Sequence, residues 1–176
     1  MKAKEIITRL IISLVLLIVN YFISLLEIPV LNGSLIFRFG FIINMIYAVY
    51  FNSWWCAVFA AFGDMLPFLI SPPSYSFFPG YTLSAVASIL IYRYFLYRDD
   101  IDMRDAICAK LCVNMSINIV VGAIWRYILF GNNVYYYGAA LVKNIALAPI
   151  EGAIFFGLYQ VVEYVIRKKR NEGNEG

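Results

Sequence analysis

The segment that decides the fold is residues 6–26, which read IITRLIISLVLLIVNYFISLL. The stretch is apolar over about 20 residues, and a helix of that length can cross the ~30 Å hydrocarbon core of a bilayer. It lacks the short apolar core and the small-residue cleavage site that are typical of a secretory signal peptide. We therefore interpret it as a retained first membrane span.

The composition of the whole chain also indicates a membrane protein. Hydrophobic residues make up 62% of the 176 residues and charged residues only 14%, whereas soluble domains carry about 25% charged residues. A soluble domain with so few charges could not cover its surface, but lipid solvates apolar side chains. We predict one membrane-embedded domain over residues 1–170 and a disordered polar tail over residues 171–176.

Five further apolar segments follow the first one. Their predicted bounds are residues 36–51, 54–70, 80–97, 106–130 and 138–166. The breaks between them include Asn52-Ser53, the pair Pro72-Pro73, which cannot continue a helix, and Gly131-Asn132-Asn133. The predicted fold class is therefore all-α, an integral membrane bundle of six transmembrane helices.

The positive charges orient this bundle. With six spans both termini lie on the same side, and that side holds eleven of the fourteen Lys and Arg residues. These are Lys2, Lys4, Arg9, Arg93, Arg98, Arg104, Lys110 and the basic run 167–170. Cytoplasmic loops carry such an excess, so we predict cytoplasmic termini in a multi-pass cell-membrane protein. The basic residues are not interleaved with aromatic ones as in a nucleic-acid groove, so no nucleic-acid partner is expected.

Several enzyme and metal classes are excluded by what the chain lacks. It contains no histidine, and Cys108 and Cys112, which share a helix face, would lack the remaining ligands of a metal site. A membrane enzyme would need a nucleophile paired with a base, and Asp64 and Glu151 lie in separate segments without such a motif. We expect neither catalysis nor a cofactor.

A set of polar residues within the predicted spans is the main functional signal. It consists of Arg38, Asp64, Arg126, Lys143, Asn144 and Glu151. One interpretation is structural pairing, of Asp64 with Arg38 or of Glu151 with Lys143; the other is a shared ligand pocket. Cations suit an anionic group, and a buried carboxylate suits a flat heterocycle with adjacent N–H donors. A pterin-type vitamin with a carboxylated tail has both features.

The run SFFPGYTLSA at residues 76–85 resembles the Tyr-Phe-Pro-Gly-Phe-Thr-Leu-Ser-Ala signature of folate-specific substrate-binding subunits of energy-coupling factor transporters. The similarity extends in chain order over residues 36–160. Its supporting motifs are Arg38-Phe39-Gly40-Phe41, Trp54-Trp55 with Gly63-Asp64, Ile124-Trp125 with Tyr127 and Gly131, and Lys143-Asn144-Ile145 with Pro149-Ile150-Glu151.

This resemblance implies a six-helix subunit that binds folate, or a related pterin, at its outer face. It also implies partners: a transmembrane coupling subunit and two ATPase subunits, whose ATP hydrolysis topples the substrate subunit so that folate is released inside. The chain itself contains no Gly-x-x-x-x-Gly-Lys-Ser/Thr loop and so cannot be its own ATPase: either a partner supplies the energy, or transport is passive.

The resemblance also implies roles for individual residues. Asp64 would accept hydrogen bonds from the pterin, and Asn144 would add polar contacts to the ring. The cations Arg38, Arg126 and Lys143 would attract the glutamate end. The loop of Phe78, Pro79, Gly80 and Tyr81 would lie over the ligand, next to Trp125. Thr82 would bond to the ligand or, the reading that we favour slightly, cap the fourth helix.

Two departures from the family pattern bear on partners and ligand. The first helix lacks the Ala-x-x-x-Ala docking pattern, although Ala57-x-x-x-Ala61 offers small residues in the third segment. Ala140 stands where the family often has an arginine, a place that Arg126 could fill. The alternative functions are a subunit for another vitamin or precursor, and a structural membrane protein without a transport role.

Overall fold

The apolar segments form helices because a helix satisfies its own backbone N–H and C=O groups where no water is available. The computed structural model describes residues 3–30, 35–70, 77–131 and 134–174. The elements in chain order are α1 (Ala3–Ser24), β1 (Glu27–Val30), β2 (Leu35–Arg38), α2 (Phe41–Tyr50), α3 (Ser53–Ile70), α4 (Pro79–Leu96), α5 (Met103–Val113), a π-helical segment (Asn114–Val121), α6 (Gly122–Phe130) and α7 (Val134–Asn174).

Four stretches are long and apolar enough to cross a membrane. They are Ala3–Ser24, Ser53–Ile70, Met103–Leu129 and Leu141–Lys168. The third of these is α5, the π-helical segment and α6 in one continuous helix. The prediction of a helical membrane protein is thus confirmed. Two of the six predicted spans correspond to helices outside this set, because α2 has only 10 residues and α4 carries several Tyr, Ser and Thr residues.

A short antiparallel hairpin precedes α2, where the sequence predicts that the second span begins. β1 and β2 pair in register, with Glu27 opposite Arg38 and Val30 opposite Leu35. The β-branched and aromatic residues of Leu35–Arg38 favour extended backbone, and pairing with β1 satisfies their backbone groups. Arg38 therefore lies on this hairpin and not inside a span, which corrects the predicted start of the second helix at residue 36.

The core surrounds the short helix α2. Met45, Tyr47 and Ala48 are fully buried there. The Tyr47 ring is stacked between Phe51 and Phe59, with ring centroids 4.0 and 3.9 Å away, and its hydroxyl lies 2.6 Å from Ser13 Oγ of α1. A buried tyrosine hydroxyl needs a hydrogen-bond partner, so this contact fixes α1 against α2.

The last helix, α7, continues through residues 171–174, where the sequence predicts the start of a disordered tail. An existing helix gains one hydrogen bond for each added residue, so it extends into polar sequence more readily than it nucleates there. Just before this segment, Arg167 Nε donates to Glu163 Oε1 at 2.8 Å, a helix-stabilising pair four residues apart.

Gly152 marks a close approach of α5 and α7, and Gly152→Ala should destabilise the bundle. A Cβ atom at this position would lie 2.8 Å from Cα of Ile107. Overpacking of this kind forces backbone shifts that cost about 1–3 kcal/mol. Thermal unfolding in detergent, followed by circular dichroism, measures the loss.

The matched control for this variant is Gly157→Ala on the same helix. Within the described part of the chain, a Cβ at Gly157 would meet no heavy atom within 4 Å. Alanine is a better helix former than glycine, so this variant should melt at or slightly above the wild-type temperature. Equal melting temperatures for the two variants would contradict a tight contact between α5 and α7.

Candidate ligand-binding site

Asp64 of α3 and Thr82 of α4 form the polar centre of the candidate site. Thr82 Oγ1 donates a hydrogen bond to Asp64 Oδ2 at 2.6 Å, and both side chains are half-buried. The preferred reading of Thr82 as a helix cap is wrong, because α4 starts after Phe78 and has no side-chain cap. The bond occupies one acceptor position of a carboxylate that has about four. The predicted Arg38 partner of Asp64 has its side chain outside the described residues.

The signature run shapes the first turn of α4. Phe78 occupies the N-cap position and Pro79 is the first helical residue, where its fixed φ angle and missing N–H are tolerated. Gly80 is buried under the Phe78 ring, and any side chain at this position would overlap that ring. The Pro-Gly pair thus holds the Phe78 side chain back over the start of the helix.

Three aromatic rings meet at this turn. The edge-to-face contacts of Phe78 have ring-centroid distances of 5.5 Å to Tyr81 and 5.4 Å to Trp125 of α6. Trp125 Nε1 donates to Ser84 Oγ at 2.8 Å, and Ser84 Oγ in turn donates to the backbone oxygen of Gly80 at 3.0 Å. These contacts fix the Trp125 indole against α4. Ser84 was missed as a site residue, although it lies inside the signature run.

A second polar cluster lies between α5, the π-helical segment and α7. Lys110 and Glu151 are 5% and 7% exposed, and Lys110 Nζ lies 3.4 Å from Glu151 Oε2. Lys110 also contacts the hydroxyl of Tyr92 at 3.4 Å and lies 4.1 Å from the Phe41 ring centroid. Buried charges need such partners, since desolvation of an unpaired ion is very costly.

This cluster bears on two expectations. Lys110 was counted among the basic residues of the predicted cytoplasmic side, and the structure buries its side chain between the helices. Glu151 was expected to pair with Lys143 if its role was structural, but its ion pair is with Lys110. Lys110 lies on α5, and Gly152 of α7 allows α5 to pack closely there, since its Cβ position is next to the backbone of Ile107.

Asparagines connect this ion pair to Asn144. Asn114 Nδ2 donates to Glu151 Oε2 at 3.1 Å and to the backbone oxygen of Asn144 at 2.8 Å. Asn118 Nδ2 lies 2.9 Å from Asn114 Oδ1 and 3.3 Å from Asn144 Oδ1. Asn114 and Asn118 were missed from sequence, and the signal that could have found them is two amides four residues apart in an apolar segment.

The predicted site residues thus occupy different places. Asp64 of α3 contacts Thr82, and Phe78 contacts Tyr81 and Trp125 of α6; the two groups both lie at the start of α4. Asn144 belongs to the asparagine network. Arg126 and Lys143 are half-buried on α6 and α7.

Comparison with known proteins gives two similarities. No protein-family model matches the chain. It is 29% identical over 126 residues to the folate transporter FolT of Clostridium novyi (strain NT). The aligned region covers 71% of this chain and 73% of that protein. Its fold is similar to the crystal structure of FolT bound with folic acid, with a TM-score of 0.75, 26% identity, and coverage of 85% of this chain and 90% of that chain. Both similarities confirm the resemblance indicated by the signature run, and this multi-pass membrane protein is a homologue of the folate transporter FolT.

Proposed function

We propose that this chain is the folate-binding subunit of an energy-coupling factor transporter, which captures folate at the outer face of the membrane. The observation that carries the proposal is that the first two turns of α4 contact both a carboxylate and a cluster of aromatic rings. Thr82 bonds to Asp64, and Ser84 bonds to Trp125, whose ring contacts Phe78. The similarity to FolT supports the same ligand.

The pterin ring of folate suits this arrangement chemically. Its 2-amino group and ring N–H are adjacent donors, and a carboxylate accepts two such parallel hydrogen bonds. Thr82 holds one Asp64 oxygen in place, which reduces the freedom that binding would otherwise remove. Flat aromatic ligands also gain from offset or edge contacts with rings such as Phe78 and Trp125.

The glutamate end of folate is the proposed partner of the cations. Arg126 directly follows Trp125 on α6, and Lys143 directly precedes Asn144 on α7, so both cations lie within one helical turn of residues assigned to the ring. Arg38 at the end of β2 would contribute a third positive charge. Arginine suits a carboxylate especially well because its guanidinium donates two parallel hydrogen bonds.

The proposed topology has six spans with cytoplasmic termini. The 18 residues of α4 make a helix about 27 Å long, close to the hydrocarbon thickness. The 10-residue α2 is shorter than a span, and the hairpin β1–β2 precedes it on the proposed outer side. A separate coupling subunit and two ATPases would supply the energy, and Ala57 and Ala61 of α3 are the proposed small-residue docking positions.

Titration of the purified chain with folic acid in detergent tests the proposal. Binding should be saturable by calorimetry and should change tryptophan fluorescence, because Trp125 contacts the proposed ring site. Trp125→Phe should lose most of that signal while calorimetric binding persists. Trp54→Phe is the matched control, since Trp54 is 74% exposed on α3 and should leave the signal intact.

The same titration separates the alternatives. Tight binding of thiamine, riboflavin or pantothenate instead of folic acid would replace folate as the ligand within the same transport function. A chain that is folded but binds none of these four vitamins would contradict the proposal and favour a structural membrane protein.

A further inference from the structure

The hydrogen bonds around Asn114 have only one possible direction. Its side-chain nitrogen lies 3.1 Å from the Glu151 carboxylate and 2.8 Å from the peptide oxygen of Asn144. A peptide oxygen can only accept a hydrogen bond, so the contact with Asn144 alone fixes the direction. The Asn114 NH2 group must therefore face these two acceptors, which leaves its Oδ1 atom to face Asn118.

The hydrogen bonds of Asn118 fix the orientation of the Asn144 amide in the same way. Because Asn114 Oδ1 accepts, the Asn118 atom 2.9 Å away must be its nitrogen. The same nitrogen lies 3.3 Å from the side chain of Asn144, so the Asn144 atom that faces it must be Oδ1. The NH2 group of Asn144 is consequently turned away from Asn118, and an amide nitrogen offers only donors.

We propose that Lys110, Glu151, Asn114 and Asn118 form a positioning chain that holds the Asn144 amide with its NH2 group toward the ligand. This inference rests on the proposed function, in which Asn144 contacts the pterin ring. The consequence is selectivity: the site favours a ring carbonyl, which accepts a hydrogen bond from NH2, over a ring amino group at the same position.

Burial makes the Asn114 end of the arrangement rigid, because Asn114 is 1% exposed and the ion pair beside it is buried as well. Asn118 is exposed and Asn144 is half-buried, so it is the hydrogen bonds of Asn118 that hold the Asn144 amide. An unsupported asparagine amide can turn over and present either end. The π-helical segment carries both Asn114 and Asn118, and π-helical turns are frequent at functional sites.

The test compares folic acid with its 4-amino analogue, in which an amino group replaces the ring carbonyl. Both are titrated calorimetrically into the purified full-length chain in detergent. The wild type should bind folic acid at least about 10-fold more tightly than the analogue, because a site that donates to a carbonyl rejects a group that cannot accept. Asn118→Leu keeps the side-chain volume but removes the amide that orients Asn144, and it should lose most of this preference.

Asp64 would also bind folic acid and the 4-amino analogue with different affinities. The quantity that tests Asn118 is therefore the change, from wild type to variant, in the ratio of the two affinities. Ser116→Ala in the same π-helical segment is the matched control, since the Ser116 hydroxyl bonds to the backbone oxygen of Cys112. This control should keep the wild-type ratio. If Asn118 were only structural, Asn118→Leu would weaken both ligands equally and leave the ratio unchanged, which would overturn the inference.

A second outcome tests the inference without relying on the folding of any variant. A wild-type chain that binds folic acid and the 4-amino analogue with equal affinity would overturn the positioning chain while the proposed function stands. A wild-type chain that binds neither ligand would instead overturn the proposed function, and with it this inference.

Discussion

Asp64→Ala should weaken the binding of folic acid at least about 100-fold. Two hydrogen bonds from the pterin to an ionised carboxylate are lost, and bonds to charged groups contribute about 1.5–3 kcal/mol each. The fold should survive, because the Thr82 hydroxyl that now donates to Asp64 at 2.6 Å can bond to a carbonyl of its own helix instead. Calorimetric titration of purified protein gives the affinity, and circular dichroism confirms that the variant is folded.

Two further variants separate the role of the Asp64 carboxylate from that of the Thr82 hydroxyl that bonds to it. Asp64→Asn keeps the shape but replaces one acceptor by a donor that opposes the pterin N–H groups, so its loss should equal or exceed that of the alanine variant. Thr82→Val keeps the shape of Thr82 and frees the Asp64 carboxylate to rotate. It should cost about 10-fold, less than Asp64→Ala, because the lost bond positions the carboxylate and does not touch the ligand. Wild-type affinity in Asp64→Ala would remove Asp64 from the site.

Local sequence was enough to predict the start of α4 and the membrane class. Pro79 and Gly80 act on their own backbone and on the neighbouring Phe78, so their roles follow from local geometry. A span such as Ala3–Ser24 needs only an apolar stretch of sufficient length. The hairpin was missed because Leu35–Arg38 is apolar enough to be taken for the start of α2, and its strand character depends on pairing with β1.

Pairing between helices was the part that the sequence did not determine. Asp64 was recognised as an intramembrane charge, but its bond to Thr82 depends on the packing of α3 against α4. Lys110 was counted only as a basic residue of the predicted cytoplasmic side, and its burial against Glu151 depends on the approach of α5 to α7. Depth along one helix can be counted from sequence, whereas the partner across the bundle cannot.

The buried ion pair leads to the second large effect, a strongly non-additive double-mutant cycle. Lys110→Met or Glu151→Met alone should each lower the free energy of unfolding by about 3–5 kcal/mol, because each leaves one buried charge without its partner. The double variant should be close to wild-type stability, since well-packed apolar residues can replace a buried pair at little cost. Unfolding in mixed micelles, followed by circular dichroism, gives the four free energies.

The exposed pair of Arg167 and Glu163 on α7 is the matched comparison. Its atoms are closer, 2.8 Å against 3.4 Å, but Arg167 is largely exposed to solvent. Exposed pairs contribute little because water already solvates both ions, so Arg167→Met should leave the free energy of unfolding unchanged within error. If the Lys110 and Glu151 single variants were as mild as Arg167→Met, the buried pair would be well solvated. The direction of the asparagine network would still be set by the backbone oxygen of Asn144, to which Asn114 donates.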